Sequence, residues 1–231
     1  SKRAADVDDG FNRPAAADDE PWFGKPKAES RKPVPKPETV ASPLTPAVPC
    51  DVLAIDFMNL LVRAFHAGKP TETHAVRSMF QTVASAVRQL RPARLVFAFE
   101  AGHEHRSKLL PEYKAHRPPQ APELRSQIDL AKRAIQIAGL AGFSVEGWEA
   151  DDVLASIVER FPCVVICSSD KDLLSLHGRA RIFHPWAGGG FVDPESKLGV
   201  SAGQVTDFLS LCGDTSDGIP GVKGIGPKTA V

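Results

Sequence analysis

Nine carboxylates fall at the ends of predicted strands and helices: Asp56, Glu100, Glu149, Asp151, Asp152, Asp170, Asp172, Asp214 and Asp217. So many acids in one crevice would repel one another and raise each other's pKa values unless cations neutralise them. Hard oxygen donors, with no cysteine or histidine at ligand spacing, suit Mg2+ or Mn2+ rather than zinc. The spacing fits no calcium-binding helix-loop-helix. Two such ions roughly 3.5–4 Å apart activate water and stabilise a leaving oxygen in phosphodiester cleavage. Plainer explanations cover part of the set. An acid at a helix N-terminus caps it and meets its dipole, and Asp214 and Asp217 in Gly213-Asp214-Thr215-Ser216-Asp217-Gly218 suit an Asx turn. They do not account for Glu149, Asp151 and Asp152 standing together before Val153-Leu154.

Two further segments could contact phosphate. Residues 106–117 interleave Arg106, Lys108, Lys114, His116 and Arg117 with Tyr113. That mixture suits a single strand or a scissile phosphate, although an ordinary solvated helix face reads the same way. Residues 221–230 carry Gly221, Gly224 and Gly226, which would let the backbone approach a phosphate closely, and Lys223 and Lys228 add charge. This loop resembles the hairpin of a helix-hairpin-helix motif, which holds duplex backbone without reading bases. It lacks the spacing of a P-loop.

The elements that must position these groups alternate. Residues 51–56 and 95–100 are apolar runs ending in Asp56 and Glu100. Phe143-Ser144-Val145, Cys163–Cys167 and Arg181–His184 are further strand candidates. The apolar spacing predicts helices over 73–91, 123–139, 149–160 and 201–211. Strands alternating with helices imply a mostly parallel sheet covered on both faces. In such a sheet ligands bind at the carboxyl ends of the strands, where the acids lie. Residues 1–49 hold nine of the 20 prolines and no apolar period, so they are expected to be a disordered, extended tail, with only Trp22-Phe23 able to dock.

Composition at first argues against a nucleic-acid partner, because Lys plus Arg equals Asp plus Glu at 28 each. The chain is not uniform, however. Residues 51–133 carry a net +5 and residues 134–231 a net −5, an asymmetry that points to polyanion contact. The four cysteines show no metal spacing. Cys163 and Cys167 flank an apolar run and read as buried thiols of a reducing compartment. No apolar stretch approaches the ~20 residues that cross a bilayer, so no membrane partner is expected.

The ordered set Asp56, Tyr113-Lys114-Ala115-His116-Arg117-Pro118, Glu149-Ala150-Asp151-Asp152-Val153, Ser169-Asp170-Lys171-Asp172-Leu173 and Gly213–Gly226 resembles the 5′-nuclease (flap endonuclease) family. The likeness is greatest to the 5′–3′ exonuclease domain of bacterial DNA polymerase I and its stand-alone relatives, and it covers about residues 51–231. The resemblance implies a PIN-like α/β nuclease core over residues 50–199, a helical arch, and the start of a helix–three-turn–helix DNA-binding region over 200–231. It implies a first ion on Asp56, Glu149, Asp151 and Asp152 with Glu100, and a second on Asp170, Asp172 and Asp217 with Asp214 nearby. Lys114 and Arg117 would steer the scissile phosphate and stabilise its developing charge. Arg106, Tyr113, Gly221, Lys223, Gly224, Gly226 and Lys228 would contact DNA, with a monovalent ion such as K+ at the 221–226 loop.

The expected partner is DNA with a 5′ flap or 5′ end, RNA-primed ends included, in the bacterial cytoplasm at the nucleoid. The same resemblance implies a fragment, with a polymerase domain in some longer relatives. Two rival expectations stand beside it: a non-catalytic branched-DNA-binding module and a PIN-like ribonuclease. Three departures mark this chain. Glu100 follows Phe99 where the family usually has Asp, the segment to Arg106 is one residue shorter, and Gly218 replaces a usual Asn.

Overall fold

The computed structural model describes residues 50–186 and 189–231. The expectations for the tail over 1–49, Trp22-Phe23 included, lie outside the described residues. Six strands form one sheet: β1 (Val52–Asp56), β2 (Arg94–Ala98), β3 (Ala141–Phe143), β4 (Val164–Cys167), β5 (Ala180–His184) and β6 (Gly190–Val192). Their spatial order is β3-β2-β1-β4-β5-β6, all parallel except β6, which runs antiparallel to β5. The helices are α1 (Phe57–Ala67), α2 (His74–Leu90), α3 (Glu104–Leu109), α4 (Pro122–Ile137), α5 (Ala150–Arg160), α6 (Pro194–Leu198) and α7 (Val205–Cys212).

β1 is buried throughout, and the period of two along a strand divides its side chains between two cores. Leu53 and Ile55 join one core with α1, α2 and α4; Val52 and Ala54 join the other with α5 and α7. A continuous apolar run is what a parallel strand covered on both faces requires. On α1, Phe57, Leu60, Leu61 and Ala64 recur at helical spacing and are buried. Each large side chain of that set contributes roughly 1.5–3 kcal/mol on leaving water.

The chain leaves β1 in one direction, through β2 to β3, and returns on the opposite side to β4 and β5. The order therefore reverses between β1 and β4, and a crevice opens at their carboxyl ends. Asp56 is the last residue of β1. Ser168, Ser169 and Asp170 follow β4.

Several boundaries differ from the sequence expectation. The edge strand β3 covers 141–143 rather than 143–145, and all three of its residues are exposed, so no apolar pattern marks it. β2 ends at Ala98, two residues before Glu100. In the basic segment, to which the apolar spacing assigns no helix, α3 ends at Leu109 and residues 111–116 are turns. Cys163 is exposed and not buried as expected, because it precedes β4; Cys167, inside the strand, is buried. After α7, residues 221–231 contain turns, and no helix follows within the described residues. Among those residues no helix is long and apolar enough to cross a membrane.

Candidate metal centre and phosphate-binding groups

The handover from β1 to α1 places the first acid. Asp56 is the N-cap of α1, and its Oδ1 accepts the Asn59 amide at 3.2 Å. Its Oδ2 accepts the Ser168 hydroxyl at 2.7 Å, which ties the ends of β1 and β4 together. Asn59 adds a second tie, its Oδ1 accepting from the Ser169 amide at 3.0 Å and hydroxyl at 2.9 Å. Ser168 and Asn59 thus shape the crevice, and nothing in the acid pattern of the sequence singled them out.

The acids behind this frame crowd one another. Burial pushes Asp56 up to about 6, with Asp170 and Glu100 adding repulsion. Asp151, in the first turn of α5, is pushed up to about 8 by burial and then by Asp56, Asp170, Glu149 and Asp172. Asp172 rises to about 6 through burial and the charge of Asp170, although Lys171 opposes the shift. The Asp172 amide donates to Asp170 Oδ1 at 2.9 Å, so these two acids share one turn. Asp56, Asp151, Asp170 and Asp172 therefore form a single repelling group.

Four further acids, Glu149, Asp152, Asp214 and Asp217, are each held by cations or donors. Glu149 caps α5 and is buried. Its Oε2 accepts the Tyr113 hydroxyl at 2.7 Å and meets Arg106 Nη1 at 2.9 Å, while Oε1 pairs with the Lys114 ammonium. Arg106 also grips Asp152 with both Nη atoms, at 2.6 and 3.1 Å. Burial would lower the Arg106 pKa, but the bonds to Asp152 and the charge of Glu149 raise it. Asp217 receives Arg117, lies 4.0 Å from Lys114 Nζ, and accepts the Tyr113 hydroxyl at 3.3 Å. Asp214 pairs with Lys171 at 2.8 Å; burial opposes the effect, yet this bond and Ser216 keep its carboxyl below the usual range.

Tyr113 is buried at the centre of this network, and burial together with the bond to Glu149 pushes its hydroxyl well up. Lys114 adopts a left-handed φ of 55°, a costly conformation for a residue with a Cβ. Its amide bonds to the Asp217 carbonyl at 2.8 Å, so the backbone of the basic segment is stitched to the 214–219 turn.

Glu100 lies beyond β2, yet the chain keeps pairing there. Phe99 donates to the Phe143 carbonyl at 2.8 Å, Ala101 to Trp148 at 3.1 Å, and Gly147 to Ala101 at 2.8 Å. These bonds set Glu100 and His103 beside Glu149, with one donor atom from each lying within 4.8 Å of the others. His103 was absent from the donor set read from the sequence. Only this loop pairing brings it to the acids.

Of the glycines at 221–226, Gly224 (φ 84°) and Gly226 have open space where a Cβ would lie. Gly221 instead permits a close backbone approach. A Cβ there would overlap the Cys212 carbonyl, and one at Gly213 would overlap Gly221. Lys223 and Lys228 are exposed.

Residues 51–195 match the model of the 5′-3′ exonuclease, N-terminal resolvase-like domain, and residues 200–231 that of the 5′-3′ exonuclease, C-terminal SAM fold. The chain belongs to the 5′-3′ exonuclease family. Within that family it is 33% identical over 191 residues to a 5′-3′ exonuclease of Aquifex aeolicus, covering 77% of this chain and 66% of the relative. It is 33% identical to the flap endonuclease Xni of Photobacterium profundum, covering 78% of this chain and 74% of that one. Against DNA polymerase I of Pseudomonas aeruginosa the identity is 35%, over 78% of this chain but only 21% of the polymerase. The chain thus spans just under two thirds of the Aquifex exonuclease and a far smaller share of the polymerase. Among solved structures, the T5 D15 protein co-crystallised with metal ions superposes with a TM-score of 0.66 at 23% identity, over 78% of this chain and 72% of the other. The catalytic core of Rad2 in complex with DNA substrate gives 0.51 at 15% identity, over 79% and 60%. At these identities the likeness speaks for the exonuclease-family fold: a mostly parallel sheet flanked by helices.

Proposed function

We propose that the protein is a divalent-metal-dependent 5′ nuclease that hydrolyses phosphodiester bonds of DNA bearing a 5′ flap or a 5′ end, RNA-primed ends included. The observation that carries this reading is the convergence, at one carboxyl edge of the sheet, of four mutually repelling acids with Lys114 and Arg117 on the adjoining ones. The donor set fits hard cations, since buried carboxylates with raised pKa values are a site where positive charge relieves a standing repulsion. Asp56, Glu149 and Asp151, with Glu100 and Asp152, would hold one Mg2+ or Mn2+, and Asp170, Asp172 and Asp217, with Asp214, a second. When bound, such ions supply charge neutralisation at the phosphoryl oxygens and a water acidic enough to attack near neutral pH.

The chain's own residues do the rest. Asn59 and Ser168 fix the Asp56 carboxylate so that both ends of the crevice stay in register. Lys114 and Arg117 exchange their carboxylate partners for the scissile phosphate, and so stabilise the charge that develops there. Arg106 and Tyr113 keep Glu149 and Asp152 in place while that exchange occurs. The exposed turn at Lys223–Gly226, with Lys228, holds duplex backbone, and a monovalent ion such as K+ fits between its amides and a phosphate. Residues 50–199 act as the catalytic domain and 200–231 as part of the duplex-gripping region. This chemistry suits the bacterial cytoplasm, at the nucleoid, and a longer chain carrying a polymerase is compatible with it.

Cleavage of an end-labelled 5′-flap duplex with Mg2+ tests the reading. Release of the flap is expected. No release, or release that persists in the Asp151→Ala, Asp170→Ala double variant, overturns it.

A further inference from the structure

We propose that His103 is a nitrogen ligand of the ion held near Glu100 and Glu149, giving that site a mixed oxygen and imidazole donor set; this rests on the metal-dependent reading above. One donor atom each from Glu100, His103 and Glu149 lies within 4.8 Å of the others, a spread that a single cation can span.

The backbone enforces this grouping. Phe99 pairs with Phe143, and Ala101 pairs with both Gly147 and Trp148, so the loop carrying Glu100 and His103 runs alongside the strand-like approach to Glu149. Gly102 turns the chain between the two ligands at φ 113°, a conformation closed to most residues. His103 then stands as the N-cap of α3 without bonding that helix through its side chain. Its ring lies edge-on to Tyr113, 5.8 Å between centroids. His105, two residues on, packs against Trp148 instead at 3.9 Å between centroids and is the natural control.

An imidazole changes what the site prefers. Carboxylate oxygens suit Mg2+, Ca2+ and Mn2+, whereas imidazole adds affinity for Mn2+, Co2+ and later first-row ions. His103 therefore tilts the site away from Mg2+ without excluding it.

The experiment uses the full 231-residue chain. Mn2+ is titrated in, and the bound ion is examined by electron spin-echo modulation, which reports directly bonded 14N. Imidazole modulation is expected in the parent and in His105→Gln. It should vanish in His103→Gln and in His103→Asp, the latter still binding Mn2+ through the substituted carboxylate. In calorimetry, His103→Gln should weaken Co2+ by about tenfold and change Mg2+ by less than about threefold. Bound Mn2+ without nitrogen modulation, or with modulation that survives His103→Gln, overturns the assignment of His103 alone. A chain that takes up no Mn2+ overturns the metal-dependent reading as well.

Discussion

The two halves of the acidic crevice solve the same electrostatic problem in opposite ways. On the Glu149 side, Arg106, Lys114, Arg117 and Tyr113 are already bonded to Glu149, Asp152 and Asp217. On the Asp151 side, Asp56, Asp151, Asp170 and Asp172 face one another, and burial plus mutual repulsion lifts three of them to between about 6 and about 8. Compensation by side chains anchors the first half, and under the proposed function its cations are lent to a substrate phosphate. The second half stores unfavourable charge that only an added cation, or a proton, can relieve.

The largest expected effect breaks the uncompensated half. Asp151→Ala with Asp170→Ala should lower flap cleavage by about 10^3-fold or more and abolish the rise in melting temperature on adding Mg2+. A Mg2+ response that survives would mean that the two halves are not distinct.

Next comes the exchangeable cation. Lys114→Ala should lower the single-turnover rate by about 10^2-fold while leaving the Mg2+-induced thermal shift in place. Loss of both together would mean that Lys114 organises the metal site rather than the phosphate. Arg117→Ala, at a more exposed side chain, should follow with a smaller loss of rate.

A smaller effect is expected from pH alone, without divalent ions. Asp151 has an ordinary value of 3.8 and a native value of about 8. The folded protein therefore keeps a proton that the unfolded chain gives up, and stability is lost as pH rises through that interval. In a chelating buffer the melting temperature should fall between pH 5 and pH 8. Asp151→Asn should flatten the fall and raise the pH 8 value by roughly 4 °C. A melting temperature that climbs over that range in the parent would contradict the crowding of these acids.

The smallest effect tests the compensated half. Tyr113→Phe removes the hydroxyl shared by Glu149 and Asp217, but Arg106 and Lys114 still hold Glu149. The expected cost is about 1 kcal/mol in chemical denaturation. A cost several times larger would show that the hydroxyl, not the cations, supports this side.

The sheet and the acids were legible in the sequence because parallel strands write themselves as apolar runs and their ends as carboxylates. What escaped had weaker signals. α1 begins at the residue after β1, so its apolar positions merge with the strand; Asp56 as N-cap and the Phe57, Leu60, Leu61, Ala64 spacing were its only marks. β3 lies exposed at an edge and shows no period. β6 and α6 are short, although Asp193-Pro194 carries a cap and a first-turn proline. Within the site, spacing gave the acids but not their pairings. Arg106 and Tyr113 are expected DNA contacts, and the fold adds their bonds to Glu149, Asp152 and Asp217, which spacing did not show. His103 reached the acids only through backbone bonds between residues 99–101 and 143–148. Such long-range pairing leaves no trace in local composition.

The stitch between Lys114 and Asp217 also bears on how the molecule could be divided. The two regions matched by separate family models meet through the Tyr113 phenol, the Lys114–Asp217 backbone bond and the Arg117–Asp217 and Lys171–Asp214 pairs, so neither owns a complete half of the crevice. Cutting the chain near residue 199 would yield a first piece lacking Asp217 and a second carrying a carboxylate with no Arg117 or Tyr113 to meet it. Nuclease activity would then return only on mixing the pieces, which makes this seam a natural place to build a split enzyme whose output reports that two partners have met.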